Sequence, residues 1–461
     1  MLDPVIGHII EIWDPAALRE RRLARVRASS GQTSVEVASR YRNITFESSE
    51  PALRQSSSGY DRRRWAVVVR LRDERIHGDL AEVFPPDLRN VSGLLQRTDQ
   101  RELVSSTSEG LVVRRDAYGT RQWWVAPTGT DMFIHWLDTL GISAHLSAAG
   151  RTATEFIAAL GGPLVAIRVG DPELVRLIGG AAEDSSTSGI ITFANLRATL
   201  SRIHKNHALS MEQHAGFLTR AVLQLHMGAK CPTCEHKNWY TPGDLANELR
   251  CQRCMRKFLF PAAHPPGQRD WGYRPIGPFA VGGFAHGAYT VSLALRFFLL
   301  RGMINDAHSW TVSLDASAQG EAFEVDFGVW LRPGFTNEEK PSLVFGEAKT
   351  FNSFEHVDFV RAEALLRRFP EAHMVFATLR PSLTRTEQQA LTALAGKGPR
   401  NANRGRVIVL TAIELCDRAG FSVPFTWNNL PGQPAEVAER YPRSQFDLDA
   451  LSDATLELYA H

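Results

Sequence analysis

Cysteine is scarce in this chain, with five residues in 461, and that rules out a disulfide-stapled scaffold. Four of the five fall into one patterned set, which suits a reducing cytoplasm and makes a cytoplasmic location the expectation. Net charge is also nearly absent: 52 Lys and Arg stand against 50 Asp and Glu, a formal +2. No global field therefore draws the protein to a polyanion, and any nucleic-acid surface must be local, as in the basic runs 19–27 and 62–75. No apolar run is unbroken enough to cross a membrane. The longest, 278–300, is interrupted by Gly282, Gly283, His286, Gly287 and Arg296 and reads as a buried helix, so no membrane partner is expected. The opening MLDPVIGHIIEIWDP has early acids and no basic stretch, which argues against a signal peptide. No repeat of fixed period appears.

What is present begins with the cysteines. Cys231-Pro-Thr-Cys234 and Cys251-Gln-Arg-Cys254 are two Cys-x-x-Cys knuckles sixteen residues apart. Each knuckle offers two sulfurs from one tight turn, and this spacing is that expected of a four-thiolate zinc ribbon with no ligand position left open. One structural Zn2+ is the expectation. Zinc ribbons bind nucleic acid or protein, or merely staple an insertion. Around this one, Arg253, Arg256 and Lys257, with Trp239 and Tyr240, form a basic and aromatic rim and are candidate nucleic-acid contacts. Cys416 is left over and reads as a buried thiol.

The second pattern lies in two consecutive strands. In SLVFGEAK, 342–349, alternate side chains share a face, so Glu347 and Lys349 project together while Val344, Gly346 and Ala348 line the other side. Upstream, AFEVDFGVW puts Phe323, Val325, Phe327 and Val329 on one face and Glu324 and Asp326 on the opposite one. Paired as an antiparallel ribbon through the loop 332–341, the two strands would bring Asp326 close enough to Glu347 to share a divalent cation.

These residues resemble the PD-(D/E)xK superfamily, the restriction endonuclease-like fold, whose signature is helix, three strands, helix, strand, with Asp on the second strand and Glu-x-Lys on the third. The element order here is similar over 280–415: a helix at 286–303, strands at 309–316, 322–331 and 342–349, a helix at 355–369 and a strand at 373–378. The resemblance implies Asp326, Glu347 and Lys349 as catalytic residues. It also implies Mg2+ or Mn2+ held by Asp326, Glu347 and the backbone carbonyl of Ala348. Glu324, on the same face as Asp326 one pleat earlier, is a candidate supplementary ligand or else a solvated strand-end acid. Two departures stand out. The first helix has no acid, and the helix after Lys349 offers His356, Asp358 and Arg361 in place of the Gln and Tyr of RecB-like nucleases.

The chain length allows roughly two to four domains. The fold class expected is multidomain, mixing α+β and α/β. Residues 1–145 form an α+β region in which a hairpin over 110–125 and a helix over 131–140 have the pattern of a winged-helix module. Residues 146–227 are helical, 228–262 the zinc ribbon, 263–285 a connection without period, and 286–461 the nuclease-like core with a mixed central sheet. The function expected is Mg2+-dependent hydrolysis of DNA phosphodiester bonds, as an effector of restriction or anti-phage defence. Partners would be DNA, other subunits of such a system, and a second copy of the chain. Two rivals stay open: an inactive nuclease fold serving in nucleic-acid binding or assembly, and a metal-dependent enzyme acting on RNA or free nucleotides.

Overall fold

The computed structural model describes residues 140–183, 189–204, 210–260, 270–301, 307–318, 321–332, 342–396, 406–417, 427–445 and 447–460. It also describes nine strands between residues 11 and 125 and helical positions at 130, 133, 134 and 137. The body that carries Glu347 is a six-stranded mixed sheet. Its order is Ser143–Leu146, Ala307–Ala318, Glu321–Arg332, Ser342–Lys349, His373–Thr378 and Val407–Leu410. The first four strands run antiparallel and the last three parallel. All described positions of His373–Thr378 and Val407–Leu410 are buried, as parallel strands covered on both faces require.

Two apolar cores cover the sheet. One gathers Phe298 and Leu295 of helix Ala288–Arg301 and Phe156 of helix Ala148–Leu160 onto Val344, Ala348, Val375 and Ile408. The other packs Ala362 and Leu365 of helix His356–Arg368 and Leu391 of helix Arg385–Gly396 onto Phe345, Phe376 and Val409. Each fully buried Leu or Phe contributes on the order of 2 kcal/mol. Helix Leu448–Tyr459 serves both cores, through Leu451 and Ala454 in the first and Leu456 in the second. Ser147 caps helix Ala148–Leu160, its hydroxyl accepting from the Gly150 amide at 2.9 Å.

Domain limits depart from the expectation. Strand Ser143–Leu146 is an edge of the central sheet, and the first core runs without a break from Ala153 through Leu223 and Phe279 to Ala454. Segments 146–227 and 286–460 therefore share one packed core, and limits at 145/146 and 285/286 fall inside it. The helix read as reaching Met227 stops at Ala221, because Leu223–Lys230 is a strand. That strand pairs antiparallel with Trp271–Pro275, inside the segment read as an irregular connection. The cysteine ribbon is thus an insertion carried by a hairpin of the main body.

The N-terminal region is also corrected. Among the described residues before 130 there are strands and no helix, Glu11–Trp13 being the first of them. The nine strands form one antiparallel sheet, ordered Glu102–Thr107, Gly110–Arg115, Asp79–Phe84, Val67–Arg72, Asn43–Ser48, Ser34–Ala38, Ala24–Ala28, Glu11–Trp13 and Trp123–Val125. Gly110–Arg115 pairs with Asp79–Phe84 and Glu102–Thr107, whereas Trp123–Val125 pairs with Glu11–Trp13. The two halves of the hairpin expected over 110–125 therefore pair with other strands, and residues 116–122 between them lie outside the described residues.

The apolar run 282–300 is a core element, with 72% of its most apolar 18-residue window buried inside the protein. Its right-handed helix spans only Ala288–Arg301, about 21 Å at 1.5 Å per residue, well short of a bilayer core of about 30 Å. Ahead of it the backbone turns left-handed. Gly283, Phe284, Ala285, His286 and Gly287 have φ of 61°, 50°, 54°, 52° and 84°. Each non-glycine residue in that region costs roughly 1–2 kcal/mol, so three in succession mark strain held by the surroundings.

Candidate functional site

Strand register brings the acids together. Glu321–Arg332 and Ser342–Lys349 pair as far as Phe327 opposite Gly346. Gly346 is required there, since a Cβ would come within 2.1 Å of the Phe327 ring. The next positions along this register are Asp326 and Glu347, and here a side chain takes over from the ladder. The Ala348 amide donates to Asp326 Oδ2 at 2.7 Å. On its other edge, between the pairs Val312–Phe327 and Leu314–Val325, the Ser313 hydroxyl donates to the Asp326 carbonyl at 3.1 Å. Phe323 and Val325 pack in the second core, and Phe327 and Val329 in the first, while the ladder to Ala307–Ala318 keeps one register across Asp326.

Glu347 is buried at 4% exposure, and Lys349 Nζ reaches its Oε1 at 2.7 Å. Lys349 keeps 28% of its side chain exposed, so the group opens to solvent through the lysine. Sequence reasoning noted Asp358 without assigning it a role. It is buried and lies 3.3 Å from Lys349 Nζ through Oδ1, while its Oδ2 accepts from the Glu355 amide at 2.8 Å and so caps the helix. The available signal was a carboxylate on the first turn of the helix that follows Glu-x-Lys. Glu324 pairs with Arg361 of that helix at 3.3 Å, which gives it a partner away from a metal.

Burial and mutual repulsion set the charge of this group. Burial is the main force pushing Asp326 up to about 6 and Glu347 up to about 8, where Asp326 adds to the rise and Lys349 opposes it. Lys349 is held above its usual range despite burial, first by Glu347 and then by Asp358 and Asp326. Two carboxylates and the backbone carbonyl at Ala348 are hard oxygen donors, the type that oxygen-liganded cations take. Among the described residues, the four cysteines are the group of three or more His, Cys, Asp or Glu donors all within 4.8 Å. The acid site offers two side-chain ligands and not a closed cage.

The cysteines do form a closed set. Cys231 and Cys254 sulfurs lie 3.7 Å apart and those of Cys234 and Cys251 3.6 Å. Tetrahedral coordination with Zn–S near 2.3 Å has edges of about 3.8 Å. The residue after each knuckle, Glu235 and Met255, has φ of 58° and 60°, which folds the following amide back over the sulfurs. Cys251, disfavoured as a thiolate by burial, is nevertheless drawn down to about 6 by the Cys254 and Arg253 amides and by neighbouring thiols. Such a set is placed to hold one metal ion. Asn238, fully buried, ties the knuckles together: its Nδ2 donates to the His236 carbonyl at 3.1 Å and its Oδ1 accepts from the Gln252 amide at 2.7 Å. Asn238→Ala is expected to weaken metal binding by the tetrad about tenfold, the usual scale for a residue orienting ligands. Competition of Co2+-loaded protein against a chelator measures it, and unchanged affinity would remove Asn238 from this role.

The rim around the ribbon is less open than expected. Trp239 and Tyr240 are buried. Lys237 lies over the Trp239 ring, and the Tyr240 hydroxyl donates to the Arg250 carbonyl at 2.8 Å. Neither is a stacking platform. Lys257 pairs with Glu248 at 2.8 Å, whereas Arg253 and Arg256 are exposed.

Comparison of the sequence with protein-family models and with curated proteins gives no match. Among solved structures, the crystal structure of protein VC1899 from Vibrio cholerae matches with a TM-score of 0.27 and 12% identity, over 68% of this chain and 66% of that one. The match spans just under two thirds of that chain, and likeness at this level establishes neither a shared fold nor a shared activity.

Proposed function

We propose that this chain is a metal-dependent nuclease of the PD-(D/E)xK type, hydrolysing phosphodiester bonds of DNA, with a structural zinc in its cysteine ribbon. The observation that carries the reading is the register that sets Asp326 across from Glu347 where their strands part, with Lys349 on Glu347. The sheet order supports it, since the acids lie on the third and fourth strands of an antiparallel run that turns parallel after Glu-x-Lys. Asp326, Glu347 and the Ala348 carbonyl would hold Mg2+ or Mn2+. When bound, such an ion supplies a more acidic water and draws charge from the phosphate. Lys349, an ammonium throughout the neutral range, would orient the attacking water and stabilise the negative charge that grows on the phosphoryl oxygens. Asp358 would hold Lys349 in place from behind. A role in restriction or phage defence rests on analogy with nucleases that carry large accessory regions.

Nicking of supercoiled plasmid by the full chain with Mg2+ or Mn2+ tests the reading. Glu347→Ala and Lys349→Ala are each expected to lower the rate at least a hundredfold, the scale for loss of a group that stabilises transition-state charge. Native and substituted chains that behave alike on plasmid would sink it.

One observation favours a second reading, an inactive fold that serves in binding. Lys349 is shared between Glu347 and Asp358, so the acid cluster is partly neutralised from within. Mn2+ titration separates the two: binding lost in Glu347→Ala supports the nuclease, and no binding by the native chain supports the inactive fold.

A further inference from the structure

The strained turn Gly282–His286 ends beside the acid site. A Cβ built on Gly287 would lie 3.7 Å from the Ala348 carbonyl oxygen, the oxygen assigned above to the metal. The same turn presents Phe284, whose ring meets Phe351 edge to face at 5.1 Å. Phe351 follows Lys349 by two residues, within about 7 Å of chain reach. Over the Phe351 ring lies the guanidinium of Arg176, 4.1 Å from the centroid, reaching in from the helix Pro172–Glu183. The stack is therefore assembled from three separate segments. Phe284 is locked by a glycine of that helix, since a Cβ on Gly179 would come within 2.3 Å of its ring.

Core packing alone does not account for this arrangement. Arg176 is exposed, Phe351 and Phe284 are partly buried, and His286 on the same turn is exposed. A guanidinium placed over an aromatic ring offers a planar group on which a nucleobase of any identity can stack, and N–H donors that suit a phosphate. Strain that persists next to a reactive group is expected where the surroundings gain by positioning a ligand.

We propose that Arg176, Phe351 and Phe284 form a nucleotide subsite flanking the scissile phosphate, in which one unpaired base of the substrate strand stacks on the Arg176–Phe351 pair. This rests on the nuclease reading and narrows its substrate. A base inside a duplex has both faces covered by its neighbours, so occupancy requires a single strand or an extruded nucleotide. The substrate class is single-stranded or locally opened DNA, with little dependence on sequence at the stacked position.

The test uses the full chain with Mn2+ and one fluorescent oligonucleotide, offered single-stranded and as a duplex. The native chain is expected to cleave the single strand with the higher kcat/KM. Arg176→Ala should raise KM for the single strand about tenfold, the scale of one lost base stack, with kcat and Mn2+ binding unchanged. Arg176→Lys keeps the charge and loses the plane, and should show the same rise. Phe351→Leu, which keeps an apolar side chain under the guanidinium, should raise KM as well. An unchanged KM in Arg176→Ala and Arg176→Lys, a fall in kcat without a KM effect, or equal cleavage of duplex and single strand by the native chain would overturn the subsite while leaving the nuclease standing. A native chain that neither binds Mn2+ nor cleaves either oligonucleotide removes both.

Discussion

Apparent affinity for Mn2+ is expected to rise about a hundredfold between pH 6 and pH 8.5. Both acids must lose their protons to hold a cation, and both hold them unusually late, Glu347 to about 8 and Asp326 to about 6. Each has its pKa raised in the folded protein, so protons compete with the metal below these values and binding is lost as pH falls, first through the Glu347 step and then through the Asp326 step. The share of molecules with both carboxylates ionised therefore grows steeply between these two pH values. Lys349 remains charged across the whole window and adds no step. Isothermal titration with Mn2+ at intervals across this range measures the slope, and proton release should accompany binding below pH 8. A flat profile would show that these two acids do not hold the ion. Glu347→Gln should abolish the step near pH 8 together with most of the affinity.

The acid site was legible because its geometry is carried by strand periodicity. Ser342–Lys349 has the limits that its alternation implies, and Glu347 and Lys349 meet as two residues on one face must. Both knuckles were legible for a similar reason, since the spacing of the cysteines alone brings four sulfurs together. Asp358 was harder. At its position on an amphipathic helix a carboxylate is ordinary, and only its contact with Lys349 takes it out of solvent.

Other elements had no local signal. Ser143–Leu146 is four residues of SAHL, and its strand character comes from pairing with Ser317 through Leu314, far along the chain. Trp271–Pro275, with a glycine and a proline in five residues, has poor strand propensity and is extended because Leu223–Lys230 pairs with it across the ribbon insertion. The left-handed turn Gly283–His286 runs against the preference of Phe284, Ala285 and His286, and its cause lies in the contacts of Phe284 with Gly179 and Phe351. The single core shared by segments 146–227 and 286–460 is likewise a property of packing, because helices that cover a sheet and helices of a separate domain have the same periodicity.

Removing the metal from the cysteine set is expected to unfold the ribbon and spare the acid site. The ribbon's own core is small: Met227, Ala229, Cys231, Tyr240, Leu249, Cys251 and Phe258 are its buried residues, and two of these are ligands. Its distal hairpin joins Glu248–Arg250 to Lys257–Leu259, three residues on each side, too short to persist alone in water. Metal binding in such units supplies most of the folding free energy, about 10–16 kcal/mol for structural zinc. With Cys251→Ser, or with a strong chelator, the segment 231–260 should therefore become the first site of limited proteolysis, and one equivalent of zinc should leave the protein. The strands that carry the insertion should hold, because Leu223 and the adjoining Val222 sit in the main core. Mn2+ binding by Asp326 and Glu347 should change less than twofold, since the ribbon's buried residues and those around Glu347 belong to different clusters. Loss of Mn2+ binding together with zinc would instead mean that strain travels from Trp271–Pro275 into the left-handed turn beside Ala348. A proteolysis pattern unchanged by chelation would mean that the four thiols hold no metal and that the apolar core alone keeps the ribbon folded.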